Sequence, residues 1–173
     1  MEFLALFLAL AAIVLILAGT VWTGVPPMPT SPAVRARMFA MIEGLEPPCI
    51  HELGAGWGGL AAALARRFPG ARIVATEVSP LPWAVCRLRQ ALFGPANLEV
   101  RFGDVMTADF SDADLVVCFL CPPAMARLAP RLESGLKPGA WVLSNAFALP
   151  GWTPVKDARV DDLHRSAVYL YRK

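Results

Sequence analysis

At 173 residues the chain has room for one domain with a proper core and little else. A net charge of +2, with no basic run beyond isolated Arg pairs, argues against nucleic acid as a partner. Hydrophobic residues make up 56% and mean hydropathy is +0.50, high for a soluble protein, and most of the excess lies at the start.

Phe3 to Trp22 contain no charged residue. About 20 residues at ~1.5 Å each span the ~30 Å hydrocarbon core of a bilayer. A cleaved signal peptide competes with this reading, since Leu17-Ala18-Gly19 offers small residues near a possible cut. No Lys or Arg precedes the apolar run, however, and the run exceeds a usual signal core. The expectation is a single-pass membrane anchor over residues 1–23 with Trp22 at the interface. Arg35 and Arg37, the first positive charges, follow it and place the rest of the chain on the cytoplasmic side.

Residues 24–32 hold four prolines and read as a stiff linker. Ser31-Pro32 starts a helix whose inward face is Val34, Met38, Met41, Ile42 and Leu45, stopped by Pro47-Pro48. The domain then runs over residues 33–173 in regular alternation. Strand Cys49–Leu53 leads to a helix with Leu60, Leu64 and Phe68 inward. Strand Arg72–Glu77 leads to a helix opened by Ser79-Pro80, with Leu81, Val85, Leu88 and Leu92 inward and Gly94 at its end. Strand Leu98–Phe102 precedes an irregular stretch. Strand Leu115–Leu120 leads to a helix carrying Met125, Leu128, Leu132 and Leu136, and Trp141–Asn145 is the fifth strand. Val155–Val160 and Ala167–Tyr171 are too close together for a crossover helix and form an antiparallel hairpin. The fold class is therefore α/β, a mostly parallel sheet with helices on both faces and an antiparallel C-terminal hairpin.

The run His51-Glu52-Leu53-Gly54-Ala55-Gly56-Trp57-Gly58-Gly59 ends the first strand and opens a helix, and the acidic Glu77 closes the second strand. This is the glycine turn of a nucleotide-binding βαβ unit with a carboxylate placed to hold a ribose. It implies an adenosine-type cofactor. Gly54, Gly56 and Gly59 satisfy G-x-G-x-x-G, so NAD must be weighed. A helix before the first strand, the terminal hairpin and Glu52 two residues before Gly54 all count against it. An acidic side chain there repels a pyrophosphate but suits a cationic aminoacyl group.

Glu52–Gly58, Glu77, Gly103-Asp104 after the third strand and Leu-Lys-Pro-Gly at 136–139 together resemble the class I S-adenosylmethionine-dependent methyltransferases. The resemblance covers residues 33–173 and implies a Rossmann-like sheet and S-adenosylmethionine as cofactor. It places Glu52, Gly54, Ala55, Gly56, Trp57 and Gly58 at the methionine end. Glu77 falls at the ribose and Asp104 at the adenine, and Val78 and Val105 are further cofactor-binding positions. Glu77-Val78-Ser79-Pro80 and Phe147–Pro154, after an apolar segment, are further similar to the membrane-associated protein-lysine methyltransferases. These are bacterial relatives of the mitochondrial enzymes for the adenine nucleotide translocase and the ATP synthase c-subunit. That narrower resemblance implies a bacterial inner-membrane location and a lysine of a membrane-associated protein as acceptor. Two departures stand out. Trp57 replaces the acidic residue usual in that family's glycine motif, and Leu120-Cys121-Pro122-Pro123 replaces its substrate-side loop.

Methyl transfer from a sulfonium needs positioning rather than a metal or a covalent nucleophile. The sequence offers no ligand cluster, and His51 and His164 read as isolated, with His51 packed at its strand. Cys49, Cys86, Cys118 and Cys121 match no zinc spacing and read as small reduced residues. Cys121, Pro122, Pro123, Phe147 and Trp152 are the candidates for an apolar acceptor wall, because the ends of strands four and five flank the donor methyl in the implied topology. A lipid-soluble small molecule such as a quinone is the alternative acceptor, and a non-catalytic cofactor-binding module the alternative class. Oligomeric state is left open.

Overall fold

The structure, a computed structural model, describes residues 28–173 together with Phe3, Leu4, Leu6, Phe7, Leu10, Ile13, Val14 and Gly19. The expected anchor over residues 1–23 lies largely outside the described residues. Among the described residues no helix is long and apolar enough to cross a membrane.

Ser31 caps the first helix, α1 (Pro32–Met41), by accepting a hydrogen bond from Val34 N, and Pro32 occupies the first turn where no amide donor is needed. Two βα steps follow: β1 (Cys49–Leu53) with α2 (Gly59–Arg67) and β2 (Arg72–Glu77) with α3 (Pro80–Phe93); β3 (Leu98–Phe102) then passes through turns to β4 (Leu115–Cys118). After α4 (Pro122–Gly135) come β5 (Trp141–Asn145), β6 (Lys156–Arg159) and β7 (Ala167–Arg172).

The seven strands form one sheet in the order β3-β2-β1-β4-β5-β7-β6. The first five are parallel, while β7 inserts antiparallel between β5 and β6. An all-parallel dinucleotide sheet has no such strand, so the hairpin expected from the sequence separates the two folds. Strands β1, β2 and β4 are buried on both faces, apart from exposed Arg72 at the start of β2, as parallel strands between helical layers must be. One core packs α1 and α2 against Ile50, Ile73, Leu115, Val117 and Leu143. The other packs α4 against Leu53, Val116, Cys118, Val142 and Tyr171.

Two expectations need correction. The fourth strand was expected to reach Leu120 but ends at Cys118, because Phe119–Cys121 turn toward the glycine loop. Leu120 reaches it directly: a Cβ at Gly54 would lie 2.8 Å from Leu120 Cδ2. The inward face of α3 is also different. Pro82 and Cys86 are its buried residues, whereas Leu88 and Leu92 are 59% and 61% exposed. Small side chains win that face because α3 crosses the glycine loop closely, with a Cβ at Gly58 meeting Cys86 Sγ at 2.3 Å.

Candidate active site

Strand β1 pairs with β2 on one side and β4 on the other, so the chain reverses direction across the sheet between β1 and β4. The crevice beyond the carboxyl ends of those strands is where open α/β sheets bind ligands. Here the glycine loop fills its rim. Gly54 N and Ala55 N donate to Thr76 O at 2.9 and 3.0 Å, stitching the loop to the end of β2. Gly54, Gly56 and Gly58 have φ of +83°, +54° and +76°. At Gly54 and Gly58 glycine is also needed for space. At Gly56 nothing lies within 4 Å of the Cβ direction, so this glycine faces open room.

Two carboxylates stand under the loop in contrasting states. Glu77, 6% exposed, accepts Gly56 N at 2.7 Å and Ser79 N at 2.8 Å, one on each oxygen. It thus clamps the loop to the start of α3, and each oxygen keeps a lone pair for a further donor such as a ribose hydroxyl. Glu52 is 4% exposed and its Oε2 has no hydrogen-bond partner. Burial, and then the charge of Glu77, hold the Glu52 carboxyl well above the usual carboxylate range. A buried carboxyl left unpartnered is costly unless a ligand completes it.

The remaining positions sort by distance from this crevice. Ala55 is buried, while Trp57 and Val78 are half-buried at its rim; Arg89 Nη1 donates to Trp57 O at 3.0 Å. Asp104 is exposed, with Oδ1 accepting Met106 N at 2.8 Å, and Val105 is buried behind it. Asp104, Gly103 and Thr107 border a cavity of about 220 Å³ at the ends of β2 and β3, a place for a base. On the acceptor side Cys121 is half-buried at the start of α4, with Pro122 and Pro123 exposed. Phe147 stacks on Phe119 with centroids 6.5 Å apart. Trp152 instead packs edge-on against Tyr171 at 6.1 Å, whose hydroxyl accepts Leu149 N.

Sequence reading passed over two residues here. Asn145 is 3% exposed and its Oδ1 has no partner. By strand alternation it shares the face of Leu143, the same face as Glu52. Phe119 joins it only because β4 and β5 are neighbours. Nothing local marks either one; the unpaired buried oxygen is the signal, and it exists only in three dimensions.

His51, expected to be isolated, is not. Its Nε2 lies 2.8 Å from Asp112 Oδ1, and Arg72 binds Asp112 and donates to Cys49 Sγ at 3.4 Å. Cys49, His51 and Asp112 come within 4.8 Å of one another, but the Arg72 guanidinium already supplies the cation there. The cluster sits at the amino end of the sheet, away from the glycine loop.

S-adenosylmethionine presents a cationic amino group, a ribose and an adenine. The crevice offers a buried carboxyl at Glu52, a carboxylate held by two backbone amides at Glu77, and a cavity beside Asp104. With β7 antiparallel in the sheet and a buried glutamate near the end of the strand before the glycine loop, the protein is a Rossmann-like S-adenosylmethionine-dependent methyltransferase rather than a dinucleotide enzyme. The model of the ANTKMT methyltransferase domain matches residues 52–156, and the chain belongs to that family. A protein-lysine N-methyltransferase from Saccharolobus islandicus strain REY15A is 31% identical over 157 residues, covering 85% of this chain and 92% of that protein. Among solved structures, an RNA methyltransferase from Salinibacter ruber in complex with S-adenosyl-L-homocysteine is 32% identical. Its TM-score is 0.74, with 84% of this chain and 93% of that chain covered. A precorrin-6y C5,15-methyltransferase from Geobacter metallireducens shares the fold at 16% identity and TM-score 0.68, over 84% and 90% of the two chains.

Proposed function

We propose that this methyltransferase acts on a lysine of a membrane-associated protein, held at the bacterial inner membrane by residues 1–23 with its domain on the cytoplasmic side. The observation that carries the lysine reading is the relative named as a protein-lysine N-methyltransferase, matched across 92% of its length. The membrane part rests on the uncharged run Phe3–Trp22.

Bound S-adenosylmethionine supplies an electrophilic methyl group on a sulfonium. The chain's own residues orient and desolvate. Glu52 and Glu77 fix the cofactor's two polar ends, while the Phe119–Phe147 pair offers an apolar flank to an alkyl chain. A lysine amine has a reference pKa of ~10.4 and attacks only when neutral, and an apolar flank favours that form. Asn145 Oδ1, buried and unpartnered, can accept a hydrogen bond from the amine and aim its lone pair.

RNA is the second reading, favoured by the likeness to the Salinibacter ruber RNA methyltransferase. The net charge of +2 counts against it. Tritiated S-adenosylmethionine with inner-membrane fractions separates the possibilities. Label in a protease-sensitive band supports lysine. Label that is nuclease-sensitive supports RNA, and label in the organic phase supports a quinone or lipid.

A further inference from the structure

The helix α3 carries an exposed apolar stripe. Its fourteen residues, Pro80–Phe93, include no acidic side chain. Leu88 and Leu92 are exposed, as are Ala84 and Ala91, and Leu81 and Val85 are half-buried. At about 100° per residue these six fall within roughly a third of the helix circumference. Arg87 and Arg89 lie just beyond the two edges of that sector, and Pro82 and Cys86 occupy the opposite, buried side. An apolar face bordered by arginines is the pattern of a helix lying in a membrane interface, where long basic side chains reach back to the head groups.

A second observation ties the stripe to a bilayer. Ser79 is the N-cap of α3, and a Cβ built on Gly19 would lie 3.7 Å from Ser79 Oγ. Gly19 belongs to the uncharged run Phe3–Trp22, so the end of a membrane-length apolar segment meets the start of the exposed stripe. Gly19 thus brings the apolar run into contact with the N-cap of α3.

We propose that α3 docks in the plane of the membrane surface, with Leu81, Ala84, Val85, Leu88, Ala91 and Leu92 at the boundary of head groups and acyl chains. The arginines at its edges fit anionic lipid. Docking there has a consequence for the site. Arg89 holds Trp57 O and Cys86 packs against Gly58, so the helix that meets lipid is the helix that supports the cofactor loop. The crevice then opens along the bilayer, which sets how an acceptor can approach. The proposal does not depend on whether that acceptor is lysine.

The test uses the full chain in vesicles containing anionic lipid. An environment-sensitive fluorescent amino acid is placed at position 88 or 92, and at Glu133 on the opposite layer as the control. Each labelled protein is first shown to bind S-adenosylhomocysteine in detergent. We expect blue-shifted emission at 88 and 92 that brominated lipid quenches about twofold or more, as for side chains about 5–10 Å deep, and no change at 133. A label at Ala84 should lose its quenching in the Leu88→Glu, Leu92→Glu double variant while cofactor affinity in detergent is kept. Water-like emission at both 88 and 92 would overturn the proposal. So would a blue shift that brominated lipid does not quench, since a second copy or the chain's own N-terminal segment would then cover the stripe.

Discussion

The two ends of the sheet carry similar residues in opposite states. At the amino end, Asp112 bridges His51 and Arg72, Lys137 contacts Asp114, and Asp114 Oδ2 accepts Cys49 N. At the carboxyl end, among the described residues, Glu52 and Asn145 keep buried oxygens with no partner, and Glu77 is bound by the backbone amides of Gly56 and Ser79. The first end is electrostatically closed and supports the fold. The second leaves buried polar groups unsatisfied, the state expected of a ligand site. Charge density alone would not have told them apart; satisfaction does.

The sharpest way to break this contrast is at the loop. Gly58→Ala puts a Cβ 2.3 Å from Cys86 Sγ at φ +76°, combining left-handed strain with overpacking. We expect about 2–4 kcal/mol of lost stability by urea unfolding. Adding Cys86→Ala should restore part of it, a non-additivity that separates the clash from the strain. Glu77→Ala comes next. It strands the amides of Gly56 and Ser79, and two charge-assisted hydrogen bonds predict about a 100-fold loss of S-adenosylhomocysteine affinity by calorimetry.

Glu52→Gln should split the two properties. The folded-state carboxyl is held above its unfolded value, so its protonated form is favoured on folding. The contribution of Glu52 to the stability of the ligand-free protein is then fully present below the ordinary glutamate range near ~4.3 and is lost as pH rises through the folded value. Removing the charge should raise the ligand-free melting temperature at neutral pH by about 2–4 °C per kcal/mol gained. The same change should weaken cofactor binding about tenfold. The smallest effect is expected at the closed end. Asp112→Asn loosens partly exposed ion pairs, costs less than about 1 kcal/mol, and leaves kcat/KM for methyl transfer unchanged.

Much of this was legible in the sequence where the chemistry demands neighbours. Glu52, the glycines and Glu77 lie within one βαβ step, and helix and strand order followed from period and punctuation. What was missed depends on contacts between distant segments. Asp112 reaches His51 across 61 positions, and Phe119 meets Phe147 through strand pairing. The face of α3 was misread for a different reason. The strongest apolar stripe was taken as inward, yet close approach to Gly58 required the small side of the helix. That leaves the Leu88–Leu92 stripe outside, the surface on which the membrane-docking proposal rests.

The most direct test of the account is a structure of the full chain with S-adenosylhomocysteine. The expected result has the ligand's amino group within hydrogen-bond reach of Glu52 Oε2, its ribose hydroxyls on Glu77 and its base beside Asp104. A ligand bound elsewhere, or one that leaves Glu52 Oε2 without a partner, would contradict the claim that the unsatisfied end of the sheet is the cofactor site.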